Sequence, residues 1–205
     1  MDQKETIISR VKNSKRNTIF LPETFLPIDV QYASNVLGQL VKDGMLVRVS
    51  QGIYLKPKMT RFGPLMPSLY EIAEIIAKRD HAKILPCGAM AENYLGFSTQ
   101  EPMNAVYITT GAARKLRIGN RTLTFKYGVP TNFAYKGKTM PILVLALKSI
   151  GQANVTDETL ATVYGVLKKN PEENTWESDI KLAPNWIRKI IINTKNKIKE
   201  NEQVD

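Results

Sequence analysis

One stretch of the sequence, residues 29–58, restricts the fold of the chain more than any other. It reads DVQYASNVLGQLVKDGMLVRVSQGIYLKPK. Asp29 can cap the start of a helix, because its carboxylate can accept from the unpaired N–H groups of the first turn. Gly44 can end the helix, because glycine adopts the left-handed conformation at little cost. Between them, apolar residues recur at helical spacing and predict one buried face: Val30, Ala33, Val36, Leu37, Leu40 and Val41.

Strand-like residues follow this helix directly. Residues 45–49 and Ile53–Leu55 are rich in apolar and β-branched side chains, and Gly52 lies in the short segment 50–52 that joins them. Two such runs with a glycine-containing turn predict a β-hairpin. A helix followed by a basic hairpin is typical of a winged helix-turn-helix, in which the helix enters the major groove of DNA.

The face of the helix opposite the apolar stripe is polar and carries no carboxylate before Asp43. Glutamine and asparagine can both donate to and accept from a base edge, which suits readout of the major groove. A glycine inside a helix costs about 1 kcal/mol relative to alanine, and close approach of a phosphate would account for Gly38. The alternative is a small α+β subdomain whose polar helix face is solvated. The polar residues are Gln31, Asn35, Gly38, Gln39 and Lys42, with Tyr32 and Ser34 at the edges.

The rest of the sequence divides the chain into two domains. Upstream of this helix, the sequence predicts a first helix at residues 3–12, a short strand at 18–21 and a short second helix at 22–26. These elements complete a winged helix-turn-helix over residues 1–60. Residues 61–67, RFGPLMP, predict a linker, because Gly-Pro and a second proline cannot continue a helix or a central strand. Residues 68–205 then form the C-terminal domain.

The C-terminal domain is predicted to mix helices and strands. Ser68-Leu69-Tyr70-Glu71 is a capping box that starts a helix, and Gly119-Asn120 is a two-residue turn that favours a hairpin. Helices are predicted at 68–79, Ala89–Leu95, 142–150, 158–169 and 184–199. Strands are predicted at 83–85, 105–109, 115–118, Arg121–Tyr127 and 131–135. The fold class is therefore α+β, with an N-terminal winged helix-turn-helix followed by a mixed α/β domain.

The charge of the chain indicates an anionic partner. The net charge is +10, and residues 1–62 carry 10 Lys and Arg against 5 Asp and Glu. The N-terminal part is therefore the more densely basic one, as expected of a DNA-binding module. The single cysteine, Cys87, fits a reducing compartment. No apolar run reaches the roughly 20 residues of a membrane helix, so we expect a cytoplasmic protein without a membrane partner.

The sequence lacks the residue constellations of an enzyme. His81 is the single histidine and lies in a predicted loop, and Cys87 follows an apolar strand, where an inert thiol is expected. Zinc-binding Cys/His spacing, a Walker-type phosphate loop, a Gly-x-Ser-x-Gly elbow and an Asp-x-Asp pair are missing from the sequence. Glu172 and Glu173 lie in a predicted surface loop. We therefore expect no catalysis, no metal and no cofactor.

A second group of basic residues surrounds the Gly119-Asn120 turn. Residues of like parity share a face of a strand, so Lys115 and Arg117 are expected to point the same way. The group can bind phosphates or an acidic partner, or its cations can protect an edge strand from pairing. Both interpretations stay open. The group consists of Arg114, Lys115, Arg117, Arg121 and Lys126.

Three segments carry, in this order, a resemblance to a known family. They are LVKDGMLVRVSQGIYLKPK, GAMAENYLGFSTQEP and YITTGAARKLRIGN. Together with the predicted winged helix they resemble AbiE-type antitoxins and their relatives among bacterial transcriptional regulators, over about residues 1–170. Residues 170–205 form a C-terminal extension that the resemblance does not cover.

The resemblance implies a bifunctional protein of a bacterial toxin–antitoxin system of the abortive-infection type, used in phage defence. The winged helix would bind double-stranded promoter DNA of its own operon as a repressor, and the C-terminal domain would counteract a nucleotidyltransferase-like toxin. One alternative is a stand-alone transcriptional regulator whose second domain senses a ligand or another protein, and another is an enzyme that acts on nucleic acid. The implied DNA-binding residues are Gln31, Tyr32, Ser34, Asn35, Gln39 and Lys42 in the helix and Arg48, Ser50 and Gln51 in the wing.

Overall fold

The chain groups into two units by its internal contacts. A computed structural model describes residues 2–171 and 173–202. The N-terminal unit comprises Met1–His81 and Leu116–Leu123, and the C-terminal unit comprises Ala82–Lys115 and Thr124–Asp205. The domain division that the sequence suggests, with a linker at residues 61–67, stays a prediction.

In the N-terminal unit, helices pack with a small antiparallel sheet. The helices are α1 (Gln3–Asn13), α2 (Val30–Lys42) and α3 (Leu69–Arg79), and a four-residue 3-10 turn, Pro22–Phe25, stands where the sequence predicts a short second helix. The strands are β1 (Ile19–Phe20), β2 (Val47–Ser50) and β3 (Ile53–Leu55), paired antiparallel in the order β1–β3–β2. A separate two-stranded ladder joins β4 (Met59–Thr60), which directly precedes the predicted linker, to β5 (Gly63–Pro64), which lies within it.

One hydrophobic core holds the N-terminal unit together and fixes the orientation of α2. The rings of Phe20 and Phe25 stack with their centroids 5.9 Å apart, and each fully buried aliphatic side chain contributes roughly 1.5–3 kcal/mol. The predicted apolar face of α2 is confirmed except at Val30, which is 38% exposed, because the first helical residue lies before the turn that contacts the core. The buried members are Ile7, Val11, Phe20, Phe25, Ala33, Val36, Leu37, Leu40, Leu46 and Tyr54.

The remaining elements form a four-stranded sheet and a set of helices. The strands are β6 (Ile84–Pro86), β7 (Asn104–Thr109), β8 (Arg114–Ile118) and β9 (Arg121–Tyr127), in the order β6–β7–β9–β8. The helices are α4 (Ala89–Leu95), α5 (Thr139–Ile150), α6 (Asp157–Lys169), α7 (Glu173–Asp179) and α8 (Asn185–Glu202). This mixture of helices and small sheets confirms the α+β class. Within the described residues, no helix is both long and apolar enough to cross a bilayer.

The C-terminal extension belongs to the core of the C-terminal unit. Ile187 and Ile191 of α8 are fully buried, and Trp176 of α7 is 4% exposed. They pack against α5 and α6 in one cluster of buried side chains: Met140, Leu143, Val144, Leu147, Val163, Leu167, Trp176, Ala183, Ile187 and Ile191. The segment after residue 170, whose role the sequence leaves open, therefore completes this unit's core.

A buried carboxylate holds the segment in front of α5. Asp179 is 1% exposed. One of its carboxylate oxygens accepts from the Lys136 N–H at 2.9 Å and the other from the Gly137 N–H at 2.7 Å. These two hydrogen bonds offset part of the cost of burying a polar side chain. Burial, and then the nearby negative charge of Asp179, raise the pKa of the Tyr135 phenol.

Two segments of the C-terminal unit differ from the sequence-based expectation. Residues 131–135, expected as a strand, overlap a 3-10 turn at Pro130–Phe133. Pro130 cannot donate to a ladder, and the Phe133 ring packs so closely on Gly128 that a Cβ there would lie 2.6 Å from it. Glu173, expected in a surface loop, begins α7, because Trp176 draws this segment into the core. Glu172 lies outside the described residues.

Candidate nucleic-acid interface

Helix α2 carries the first group of candidate residues, and its ends are as the sequence predicts. The Asp29 carboxylate accepts from the Tyr32 N–H at 2.8 Å and caps the first turn. Beyond the last helical residue, Gly44 adopts a left-handed φ of +73°. Because the apolar face of α2 lies in the core, its polar face is turned away from the core. The side chains of Gln31, Asn35, Gln39 and Lys42 are all exposed.

The exposed amides of α2 bond to neighbours along the helix. Gln31 Nε2 donates to Asn35 Oδ1 at 3.2 Å, and Gln39 Nε2 donates to Asp43 Oδ1 at 2.9 Å. Pairs of this spacing on an exposed helix face contribute only about 0.2–0.5 kcal/mol, so a ligand can replace them. The Gln31–Asn35 bond leaves one amide nitrogen and one amide oxygen to meet a base edge.

Ser34 differs from the other candidates on α2, because it is half-buried and bonded to the sheet. Its Oγ lies 3.3 Å from the hydroxyl of Tyr54, and that hydroxyl also donates to the Ser34 carbonyl at 3.4 Å. Tyr54 on β3 is 2% exposed. The structure therefore places Ser34 where α2 is attached to the sheet. Tyr32, which is 37% exposed, stays at the edge of the polar face.

Of the three candidate DNA-binding residues in the hairpin after α2, two are exposed and the third is hydrogen-bonded within the protein. Arg48 and Gln51 are exposed, and the β2–β3 register shifts between Arg48 and Ser50. Ser50 Oγ donates to the Arg117 carbonyl oxygen at 3.0 Å across 67 residues of sequence. Arg117 belongs to the N-terminal unit. Within this unit, one residue of the predicted wing is thus hydrogen-bonded to the backbone of a residue from the second basic group.

The basic residues of β8 follow the predicted parity. Lys115 and Arg117 are exposed at alternate positions, while the intervening Leu116 is half-buried. Arg117 Nε donates to the Gly119 carbonyl at 3.2 Å, which holds its guanidinium against the turn. Lys115 and Arg117 therefore lie on one face, as expected from the alternation of a strand.

The other basic residues of this group do not all share that face. Arg114 has the opposite parity to Lys115, and its guanidinium carbon lies 5.7 Å from the centroid of the buried Phe125 ring. Arg121 is half-buried, whereas Lys126 is exposed. Arg114 and Arg121 are therefore less accessible than Lys115, Arg117 and Lys126, and a second basic surface stays a prediction.

Lys56, at the end of the predicted wing, is bonded within the protein. Its Nζ donates to three carbonyl oxygens, those of Val11 at 2.9 Å, Lys12 at 2.6 Å and Ser14 at 2.7 Å. The last carbonyls of a helix lack intrahelical partners, and positive charge is favourable at that end. Lys56 therefore closes the C-terminal end of α1 rather than facing a phosphate.

The residues considered for chemistry have unremarkable surroundings. His81 is exposed in the turn after α3. Burial raises the pKa of the half-buried Cys87 thiol, although the positive charge of Lys126 and a hydrogen bond with the Ile108 backbone act in the opposite direction. Within residues 2–171 and 173–202, no three His, Cys, Asp or Glu side chains are grouped so that they could hold a metal ion.

Fold and candidate site together define an α+β protein in which the N-terminal unit exposes a polar, amide-bearing helix face beside a basic hairpin. Comparison with the sequence models of known families assigns the chain to one of them. It belongs to the family of unknown function DUF6088, whose sequence model matches residues 6–175. No curated protein matches the chain. The family match ends within α7, so Ile187 and Ile191 of α8 lie beyond it.

Some contributors to this region carry no motif that identifies them. Tyr54 and Lys56 read as ordinary strand and wing residues, and their partners lie 20 and about 45 residues away. One signal is visible in the sequence, however. Residues 44–70 contain no Asp or Glu, so the basic character of the predicted wing continues beyond Lys58 through the β4–β5 hairpin.

Proposed function

We propose that the chain is a promoter-binding autorepressor that also acts as the antitoxin of a bacterial toxin–antitoxin system. In this proposal residues 1–60 are a winged helix-turn-helix, with α2 as the recognition helix and β2–β3 as the wing. The observation that carries the DNA-binding part is the exposed row Gln31, Asn35, Gln39 and Lys42 on a helix whose opposite face is fixed in the core.

Each exposed residue of this surface has a distinct role in the proposal. Asn35 reads a base, because asparagine pairs with adenine through two hydrogen bonds in the major groove, which discriminate by about 1–3 kcal/mol. Lys42 contacts a phosphate and adds affinity without sequence preference. Arg48 and Gln51 contact the DNA from the wing. Ser34 and Ser50 position these elements, since both hydroxyls are bonded within the protein.

The test is a fluorescence anisotropy titration of the full chain with labelled DNA from upstream of its gene. Asn35→Ala should weaken promoter binding about 5- to 150-fold and leave binding to unrelated duplex unchanged. Lys42→Ala should weaken binding to both duplexes alike and reduce the slope of log affinity against log salt by about 1.

Lys78→Ala is the matched control for these variants, because Lys78 is an exposed cation on α3 in the same unit. It should change neither affinity nor salt slope. If Asn35→Ala and Lys42→Ala both bind the promoter as the native chain does, α2 is not a recognition helix and the DNA-binding proposal is wrong.

The antitoxin part of the proposal is supported by the resemblance of GAMAENYLGFSTQEP and YITTGAARKLRIGN to AbiE-type antitoxins. Co-expression with the adjacent gene tests it. A nucleotidyltransferase-like neighbour should be toxic alone and harmless with the chain. Asn35→Ala should lose repression but keep neutralisation, because the two activities use different residues. A neighbour that is harmless, or that the chain does not neutralise, contradicts the antitoxin assignment.

A groove in the C-terminal unit favours the alternative of a stand-alone regulator that senses a ligand. The groove has a volume of about 770 Å³ and lies between α6 and α8, with Tyr164, Lys197 and Glu200 in its lining. Small-molecule sites commonly have volumes of roughly 300–1,000 Å³. This alternative would be favoured by a small metabolite that releases the native chain from its promoter and does not release the Tyr164→Ala variant.

A further inference from the structure

The β4–β5 hairpin presents an exposed aromatic ring on an ordered turn. Phe62 is 86% exposed. Thr60 Oγ1 donates to the Gly63 carbonyl at 2.8 Å and accepts from the Phe62 N–H at 3.2 Å. The Leu65 N–H donates to the Lys58 carbonyl at 2.9 Å and extends the ladder by one more bond. The turn that carries Phe62 is therefore held in a defined conformation.

The surroundings of this ring are cationic. The Arg61 guanidinium carbon lies 4.6 Å from the centroid of the Phe62 ring, and Lys58 is exposed at the base of the hairpin. Residues 44–70 contain no Asp or Glu, and besides Lys56, whose ammonium is bonded at the end of α1, they carry Arg48, Lys58 and Arg61. A segment of this length without a carboxylate attracts polyanions.

A solvent-exposed phenylalanine among cations matches the chemistry of a nucleic-acid contact. In single strands, stacking of a base on an aromatic side chain contributes roughly 1–3 kcal/mol and tolerates any base. DNA-binding proteins also insert apolar side chains between base steps, with cations on the flanking phosphates. Arg61 covers part of the Phe62 ring, and the high exposure of that ring leaves further area for a base.

We propose that the β4–β5 hairpin is a second DNA-contacting element, in addition to α2. The Phe62 ring inserts at a base step of the promoter duplex and stacks on the base beside it, while Arg61 and Lys58 bind the flanking phosphates. This inference rests on the proposed DNA-binding function but uses different residues, so the two can fail separately.

The test is the same promoter titration with a series of substitutions at Phe62. Phe62→Ala should weaken binding by about 5-fold or more, Phe62→Trp should retain it, and Phe62→Leu should fall between them, because an aliphatic side chain can enter a base step but cannot stack as a flat ring. Arg61→Gln should reduce the salt slope by about 1. The unfolding midpoint should hardly change, since substitutions of exposed residues usually alter stability by less than about 0.5 kcal/mol.

Tyr94→Ala is the control, because Tyr94 is an exposed aromatic residue on α4, 64% accessible, in the C-terminal unit. It should bind promoter DNA as the native chain does. Native affinity in Phe62→Ala, or its recovery in Phe62→Leu, would overturn the stacking proposal while leaving α2 as the reader of the promoter.

Two further outcomes are decisive. If the native chain does not prefer its promoter over unrelated duplex, both the proposed function and this inference are wrong. If Phe62→Ala binds DNA normally but no longer neutralises the product of the adjacent gene, the hairpin is a protein-docking element and the DNA-contact proposal is overturned.

Discussion

Replacement of Lys56 by methionine should destabilise the N-terminal unit, although Lys56 lies in a stretch that reads as a basic wing. The Lys56 ammonium bonds to the carbonyls of Val11, Lys12 and Ser14 at 2.6–2.9 Å. Methionine keeps most of the apolar stem but removes the charge and all three donors. The substitution should therefore destabilise the C-terminal end of α1 and weaken its attachment to β3.

The magnitude follows from the kind of bond that is lost. A hydrogen bond that involves a charged group contributes about 1.5–3 kcal/mol, and a cation at a helix C-terminus about 0.3–1 kcal/mol. The site is only partly buried, so water can replace some of these bonds in the variant. We therefore expect a net loss of about 2 kcal/mol in the free energy of unfolding, which is well above the effect of an ordinary surface substitution.

The assay is urea unfolding followed by far-ultraviolet circular dichroism, combined with hydrogen exchange of the amides in α1. Lys58→Met is the matched control, because Lys58 is an exposed lysine two residues further along. Lys56→Met should lose stability and α1 should lose protection, whereas Lys58→Met should change neither. Equal stability of the two variants, within about 0.5 kcal/mol, would show that the three bonds do not stabilise the fold.

Three more predictions concern the C-terminal unit. Ile187→Ala should lower the free energy of unfolding by about 2–5 kcal/mol, because a fully buried side chain is truncated. Ile192→Ala should lower it far less, because that side chain is 41% exposed. Urea unfolding followed by tryptophan fluorescence compares the two variants, and equal losses would exclude α8 from the core. Cys87 should react with iodoacetamide more slowly in the native chain than in the unfolded one, because burial raises the pKa of its thiol above the ordinary value of a cysteine. For the same reason the unfolded chain loses this proton first, so the free energy of unfolding should decline as the pH rises through the ordinary pKa of a cysteine thiol. Equal alkylation rates in both states would contradict the burial of the thiol.

Local signals account for the parts of the fold that the sequence predicts well. Asp29 caps α2 and Ser68 caps α3 through bonds to residues three positions away. Gly44 and Gly96 end α2 and α4 in left-handed conformations. Such signals work because a cap or a turn depends on a few neighbouring residues, which the sequence displays side by side.

The roles of individual candidate residues were less predictable, because they depend on distant partners. Ser34 and Ser50 have the residue type and position of DNA contacts, yet their hydroxyls bond to Tyr54 and Arg117. Arg114 belongs to a run of basic residues, but its guanidinium lies over Phe125. Periodicity assigns a side chain to a face of its own element and does not reveal which other element lies opposite that face.

By itself, then, the sequence determined the α+β class, most helix and strand positions, and the polar face of α2 with Gln31 and Asn35. These follow from propensity, capping and hydrophobic period, all of which act over a few residues. Only the tertiary structure decided that Lys56 closes α1, that Ser50 meets Arg117, and that Trp176 and Ile187 complete the core. The reason is that burial and hydrogen-bond partners are set where chain segments far apart in sequence pack together.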